Sequence, residues 1–215
     1  MSEQADEFEF HPPNHGEDDR PGLDEADDYV DDEEDEDEDD DEDDDEDEED
    51  DDYPDDALID DVDVAIALYR EDGQPVSVPL ELDLVNDLDA LIDYLRRLPG
   101  DAGALAMISL AGNVFILVRV RGKTVQVYLS DDTACADWPI AHDIADYLGE
   151  DIPDVDDDPD SMGDGAILAD VGLHEIDLDA ITSDADEDTA VLLERVAAKV
   201  QFGPQLRAAL DHLEL

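Results

Sequence analysis

The stretch ALAMISLAGNVFILVRVRGKTVQVYLS, residues 104–130, decides the fold. Three runs rich in apolar and β-branched residues, Ala104–Leu110, Val114–Arg121 and Thr124–Ser130, are separated only by turns at Gly112-Asn113 and Gly122-Lys123. Such dipeptides have hairpin chemistry, because glycine reaches the positive φ of tight β-turns at no steric cost. The spacing predicts a meander of three antiparallel strands.

Upstream, Val62, Val64, Ile66 and Leu68 alternate with Asp63, Ala65, Ala67 and Tyr69. That is the period-2 pattern of a strand. A turn at Glu71-Asp72-Gly73-Gln74 leads to a second alternation, Val76, Val78, Leu80 and Leu82, so a hairpin is expected over residues 63–84. Between hairpin and meander, Leu88, Leu91, Ile92 and Leu95 recur at helical spacing behind a cap at Asn86 or Asp87. Arg96 and Arg97 suit the negative end of the helix dipole, and Pro99-Gly100 stops the helix.

After the meander, Trp138–Leu148 reads as a second amphipathic helix with Pro139 in its first turn. Residues 151–165, rich in Asp, Pro and Gly, read as a flexible acidic linker. Short helices are expected over Ala166–Asp170, Leu178–Thr182, Asp188–Phe202 and Pro204–Leu213. The fold class is α+β: a mainly antiparallel sheet in the chain order ββαβββα, with helices on one face, and a short helical C-terminal region over 166–215 that packs on or beside it.

Charge divides the chain differently. It carries 70 Asp plus Glu against 10 Lys plus Arg, a formal charge of −60 on 215 residues. Residues 1–60 hold 36 of the acids and one base, Arg20, while residues 61–215 hold 34 acids and 9 bases. Every residue from Asp31 to Asp52 is Asp or Glu. A run like that buries no apolar surface and repels itself, so residues 1–60 are expected to form a disordered arm ahead of an α+β domain over 61–150.

This charge sets the partners. Nucleic acid phosphates and anionic lipid are repelled, so no direct nucleic acid binding and no membrane association are expected. Basic surfaces and cations are attracted, and the arm is expected to take up divalent cations diffusely, as a polyelectrolyte. No stretch reaches the roughly 20 apolar residues of a membrane span, and the first residues lack the basic and apolar regions of a signal peptide. With a single cysteine, Cys135, these features point to the cytoplasm.

Tests for chemistry fail one by one. His15-Gly16-Glu17 matches the first half of a zinc deaminase signature, but no Pro-Cys-x-x-Cys follows. Asp154, Asp156, Asp158 and Asp160 have calcium-loop spacing, yet the sixth and twelfth positions are Pro159 and Gly165 where Gly and Glu are required. Cys135 and His142 make a nucleophile–base pair without an oxyanion element or an orienting group, and Cys135 reads as a small packing residue. No P-loop is present, and Gly163-x-Gly165 is too short for a dinucleotide site. No catalytic residue, cofactor or metal site is expected, and the chain does not read as an enzyme.

One feature runs against the acidic background. Arg119, Arg121 and Lys123 are spaced by two, so they share one face of a strand and its turn. They make up a third of the nine bases in 61–215. The plain reading is a solvent face that keeps a sheet edge from pairing. The sharper readings are docking of the chain's own acidic arm, or of a partner's acidic site.

Several segments together resemble a known family. They are Asp63–Tyr69, Asn86–Ile92, Phe115–Val120, Val127–Asp131, and Leu193–Ala197 leading to Gln201-Phe202-Gly203. Over most of residues 62–210 the chain resembles the tRNA adenosine deaminase-associated proteins of bacteria, departing from their commoner form in its long acidic arm. The resemblance implies association with the enzyme that converts adenosine to inosine in the tRNA anticodon, and it brings no catalytic residues. The expected function is that of a non-catalytic accessory or regulatory protein whose acidic arm meets a basic surface, on that deaminase or on another basic protein. Two other readings stay open: an acidic, halophile-type solubilising protein with no dedicated partner, and an enzyme of unrecognised type.

Overall fold

The alternation that opens at Val62 produces strand β1 (Val62–Glu71), which turns back through Asp72-Gly73 into β2 (Gln74–Pro79). Asp72 and Gly73 both take positive φ (50° and 79°), the geometry that matches the twist of two-residue hairpins. The computed structural model of the chain describes residues 53–100, 102–153, 158–184 and 187–213. Residues 1–52, most of the expected arm, lie outside the described residues.

Helix α1 (Leu88–Arg97) begins where the sequence places it. The Asp87 carboxylate accepts from the Ala90 N–H at 2.8 Å, and the Leu88 N–H donates to Asp143 at 3.0 Å. Two of the helix's open amides are thereby satisfied. The meander follows as β3 (Ala104–Leu110), β4 (Val114–Arg121) and β5 (Thr124–Leu129), antiparallel throughout. Helix α2 (Pro139–Leu148) closes on Gly149. Then come β6 (Met162–Gly163), α3 (Glu175–Thr182), α4 (Thr189–Lys199) and α5 (Gly203–Leu213).

The strands form one sheet in the order β2-β1-β3-β4-β5-β6, every pairing antiparallel. The α+β reading holds, with one addition. β6 lies inside the stretch read as linker and pairs with Tyr128 and Leu129. Gly163 permits this: a Cβ there would run into the Val127 carbonyl. At the opposite edge, the Leu80 N–H donates to the Ala65 carbonyl, so even-numbered residues of β2 turn their amides inward. Pro75 and Pro79 occupy outward positions and present no donor, which blunts that edge against strand addition.

The placement of helices on one face is corrected. Both faces are covered. On one, α1 and α2 pack through Leu91, Leu95, Ile140 and Ile144 onto Ala67, Ala106, Ile116 and Val118. On the other, α3, α4 and α5 pack through Leu178, Leu193, Val196 and Leu206 onto Ile66, Met107, Phe115 and Leu117. Each of these side chains is almost fully buried, and those larger than alanine are worth about 1.5–3 kcal/mol apiece. Double coverage is why β3 and β4 read as unbroken apolar runs and not as alternations.

The alternation in β1 is also corrected at its start. Pairing with β3 shifts register between Val62 and Val64, so Val62 packs on the α1 side while Val64 packs on the α4 side. Asp63 sits at this bulge and accepts from the Gly112 N–H at 2.7 Å and from the Ser109 hydroxyl at 3.3 Å. The described chain reaches back to Tyr53, ahead of the expected boundary. Ala57 is buried, and the Asn86 side chain clamps it by accepting from its N–H (2.8 Å) and donating to its carbonyl (3.1 Å).

Candidate functional site

Strand direction places two concavities in the layer between the sheet and the C-terminal helices. One lies where β1 and β4 end and β3 begins. The other lies where β3 and β5 end and β4 begins.

The first holds part of the basic trio. In β4, Phe115, Leu117 and Arg119 share the face turned to the C-terminal helices. Arg119 is only 4% exposed. Its guanidinium grips both oxygens of Asp170, donates to the Ile167 carbonyl at 2.7 Å and reaches the Ala102 carbonyl at 3.4 Å. Arg121, exposed, donates to the same Asp170 at 2.8 Å, and Lys123 stands exposed in the following turn. The solvent-face reading is therefore corrected for Arg119, which is a buried internal partner. The edge reading is corrected as well, since β4 lies between β3 and β5. Asp170 is held below the usual carboxylate range, chiefly by the hydrogen bond from Arg119 against some opposing desolvation.

Arg119 lines a pocket of about 510 Å³. Its inner wall is apolar, formed by Leu68, Leu105, Leu168 and Val200. Arg70 and Phe202 face it from the side, the Arg70 guanidinium lying 4.9 Å above the Phe202 ring centre. Sequence reading passed over both residues. They are 132 positions apart and neither belongs to a motif.

The second concavity is a cleft of about 870 Å³ with the opposite character. Asp131, Asp137 and Asp160 line it from the loops, and Glu175, Asp179, Asp184 and Glu187 from the helical side. Among the described residues no arginine or lysine lines it. Arg195 binds Asp184 (2.8 Å) and Glu187 (2.6 Å) at its margin. Tyr128 and Thr182 both face the cleft, hydroxyl to hydroxyl at 2.9 Å. Burial, with smaller contributions from Asp179 and Asp160, pushes the Tyr128 phenol up. This cleft also escaped sequence reading, because a chain with 70 acids contains every carboxylate spacing by chance.

The remaining sequence candidates do not assemble. Cys135 is fully buried and donates to the Ala141 carbonyl at 3.2 Å. Burial foremost, then the charges of Asp132 and Asp131, push its thiol up to about 12, so it carries no thiolate at neutral pH. His142 packs edge-on against Tyr53, ring centres 4.8 Å apart. His15, Asp154 and Asp156 lie outside the described residues. Asp160 and Asp132 hydrogen-bond each other's backbone. Among the described residues no group of three or more His, Cys, Asp or Glu side chains could hold a metal ion, and no helix is long and apolar enough to cross a membrane.

Comparison with known proteins bears on the same region. The model of a family described as Rv3753c-like tRNA adenosine deaminase-associated protein matches residues 63–203, from β1 to the first residue of α5, and so spans all six strands and residues of both concavities. Protein Rv3753c of Mycobacterium tuberculosis is 31% identical over 151 residues, covering 69% of this chain and 87% of that protein. No solved structure matches. The chain belongs to the Rv3753c-like tRNA adenosine deaminase-associated protein family.

Proposed function

We propose that this protein is a non-catalytic accessory protein that binds the basic surface of a tRNA adenosine deaminase through carboxylates. The family description, tRNA adenosine deaminase-associated, supports the choice of partner, and the acidic cleft carries the reading. Its seven lining carboxylates face a single margin arginine, Arg195, so the charge is only partly compensated within the fold. Like charges lining one cleft repel, and their energy falls when a cationic surface docks. An enzyme that binds tRNA must present such a surface to phosphates. The Asp31–Asp52 run adds carboxylates of the same chemistry to the chain and competes with tRNA for that surface.

Binding between the full chain and a tRNA adenosine deaminase, measured at low and at physiological salt, tests this. Affinity should fall steeply with salt. It should drop when residues 1–52 are removed, and again in a Asp160→Asn, Glu175→Gln, Asp179→Asn variant. No binding at low salt would remove the proposal.

A further inference from the structure

We propose that the pocket at the Arg70–Arg119 end of the sheet is a binding site for a small aromatic anion, a flat ring system carrying a phosphate or carboxylate. Its volume, about 510 Å³, lies within the roughly 300–1,000 Å³ of small-molecule sites. Such sites combine an apolar body with a few convergent polar groups. Here Leu68, Leu105, Leu168 and Val200 supply the apolar wall, and two arginines supply the polar groups.

The electrostatics select an anion. The domain from residue 61 onward carries 34 acids against 9 bases. Yet the pocket's one lining carboxylate, Asp170, is shared by Arg119 and Arg121. Two guanidiniums on one carboxylate leave positive charge, and Arg70 adds to it. Among the described residues no carboxylate stands within ion-pair range of Arg70, whose contact is the Phe202 ring. Three of the last four carbonyls of α4 are occupied within the fold and are not free to oppose an anion there. Those of Val196, Ala197 and Ala198 are engaged by the amides of Val200, Phe202 and Gln201.

The shapes select a ring. The Arg70 guanidinium lies over the Phe202 face, and planar π-systems stack on arginine and phenylalanine alike. A bare inorganic anion would leave the apolar wall unused while meeting the repulsion of the whole domain. A ligand that also buries a ring offsets that repulsion. The rim is open: Val171 is 36% exposed and Gln201 is exposed.

The test uses the full chain, calorimetric titration at low salt, and four probes. Adenosine 5′-monophosphate and 2-naphthoate carry both features, whereas inorganic phosphate and adenosine carry one each. At least one of the first two should bind with submillimolar affinity, and the other two about tenfold or more weaker. Tighter binding of the nucleotide assigns a phosphate ligand, and tighter binding of naphthoate a carboxylate. Arg70→Gln should weaken binding about tenfold, as expected for losing a charge-assisted contact. Val171→Trp, at an exposed rim position, should block the pocket without touching the core. Arg97→Gln, an equal charge change on the exposed end of α1, should leave binding unchanged. Absence of binding by both two-feature probes overturns the site. So does binding that Val171→Trp leaves intact, even if Arg70→Gln fails to fold. No deaminase enters the experiment, so its outcome is independent of the proposed function.

Discussion

The two ends of the layer between the sheet and the C-terminal helices are built from the same backbone and carry opposite charge. At one end Arg119 and Arg121 share a single carboxylate, Asp170, and Arg70 stands beside them in the pocket wall. At the other, seven carboxylates gather with one arginine at the margin. The basic end is matched at Arg119 and unmatched at Arg70: Asp170 is pulled below its usual range by Arg119, which also fastens the Ile167 carbonyl, while Arg70 meets the Phe202 ring. The acidic end is internally mismatched. Charge that serves the fold is neutralised inside it, and charge left unneutralised is available for something outside.

The sharpest way to break this contrast is to remove Arg119. In Arg119→Ala the Ile167 carbonyl loses its charged donor and Asp170 keeps only Arg121. Breaking a fully buried ion pair costs about 3–5 kcal/mol. The Asp170 side chain is 46% exposed, however, so water softens the loss. Urea unfolding should show destabilisation of about 2 kcal/mol, the cost of an unsatisfied buried acceptor and lost packing. A change under 0.5 kcal/mol would mean that the basic end is not a structural clamp.

The acidic end should respond with the opposite sign. Replacing Asp160, Glu175 and Asp179 by Asn, Gln and Asn removes repulsion and breaks no ion pair seen among the described residues. Stability should rise by about 0.5–1 kcal/mol at low salt, the scale of exposed charge interactions. The gain should vanish in molar salt, where the Debye length falls to about 3 Å. If the variant is destabilised at every salt concentration, the carboxylates are part of the fold's own bonding and the contrast fails.

Most of the architecture was legible because its signals are local. Gly112-Asn113 and Gly122-Lys123 mark the meander turns, and Asp87 marks the start of α1, so β3 and β4 begin and end where expected. Met162–Gly163 is too short to show a period. The second helical layer was legible in principle, since the runs ALAMISL and VFILV leave no polar face for water. The sites were not legible. Arg119 on a strand defaults to solvent until Asp170 is brought to it across 51 residues. In a chain this acidic, nothing distinguishes Asp170 from its many neighbours before folding.

Acid titration probes the basic end again, more gently. Asp170 has a folded-state pKa below its unfolded value of about 3.9, so its contribution is present above that value and is lost as pH falls through the folded one. Against wild type, Asp170→Asn should be destabilised at neutral pH, and the gap should close as the pH drops through the acid range. A gap that stays constant with pH would show that Asp170 acts through packing and not through charge.

The smallest effect sits beneath the acidic cleft, in Tyr128. Its phenol is raised foremost by burial, then by the charges of Asp179 and Asp160, against hydrogen bonds from Thr182 and Ser161 that lower it. Because the neutral phenol is the favoured form, Tyr128 stabilises the fold below its unfolded pKa, about 10, and that stability is lost as pH rises through the folded value. In a spectrophotometric titration, Asp179→Asn should move this one tyrosine downward by a fraction of a unit, and more at low salt than at high. The substitution leaves the burial of Tyr128 unchanged, so the shift isolates the field of the cleft. No shift at low salt would mean that the carboxylates are screened from one another by water. The cleft would then be only a hydrated surface, without the uncompensated field on which its contrast with the basic pocket depends.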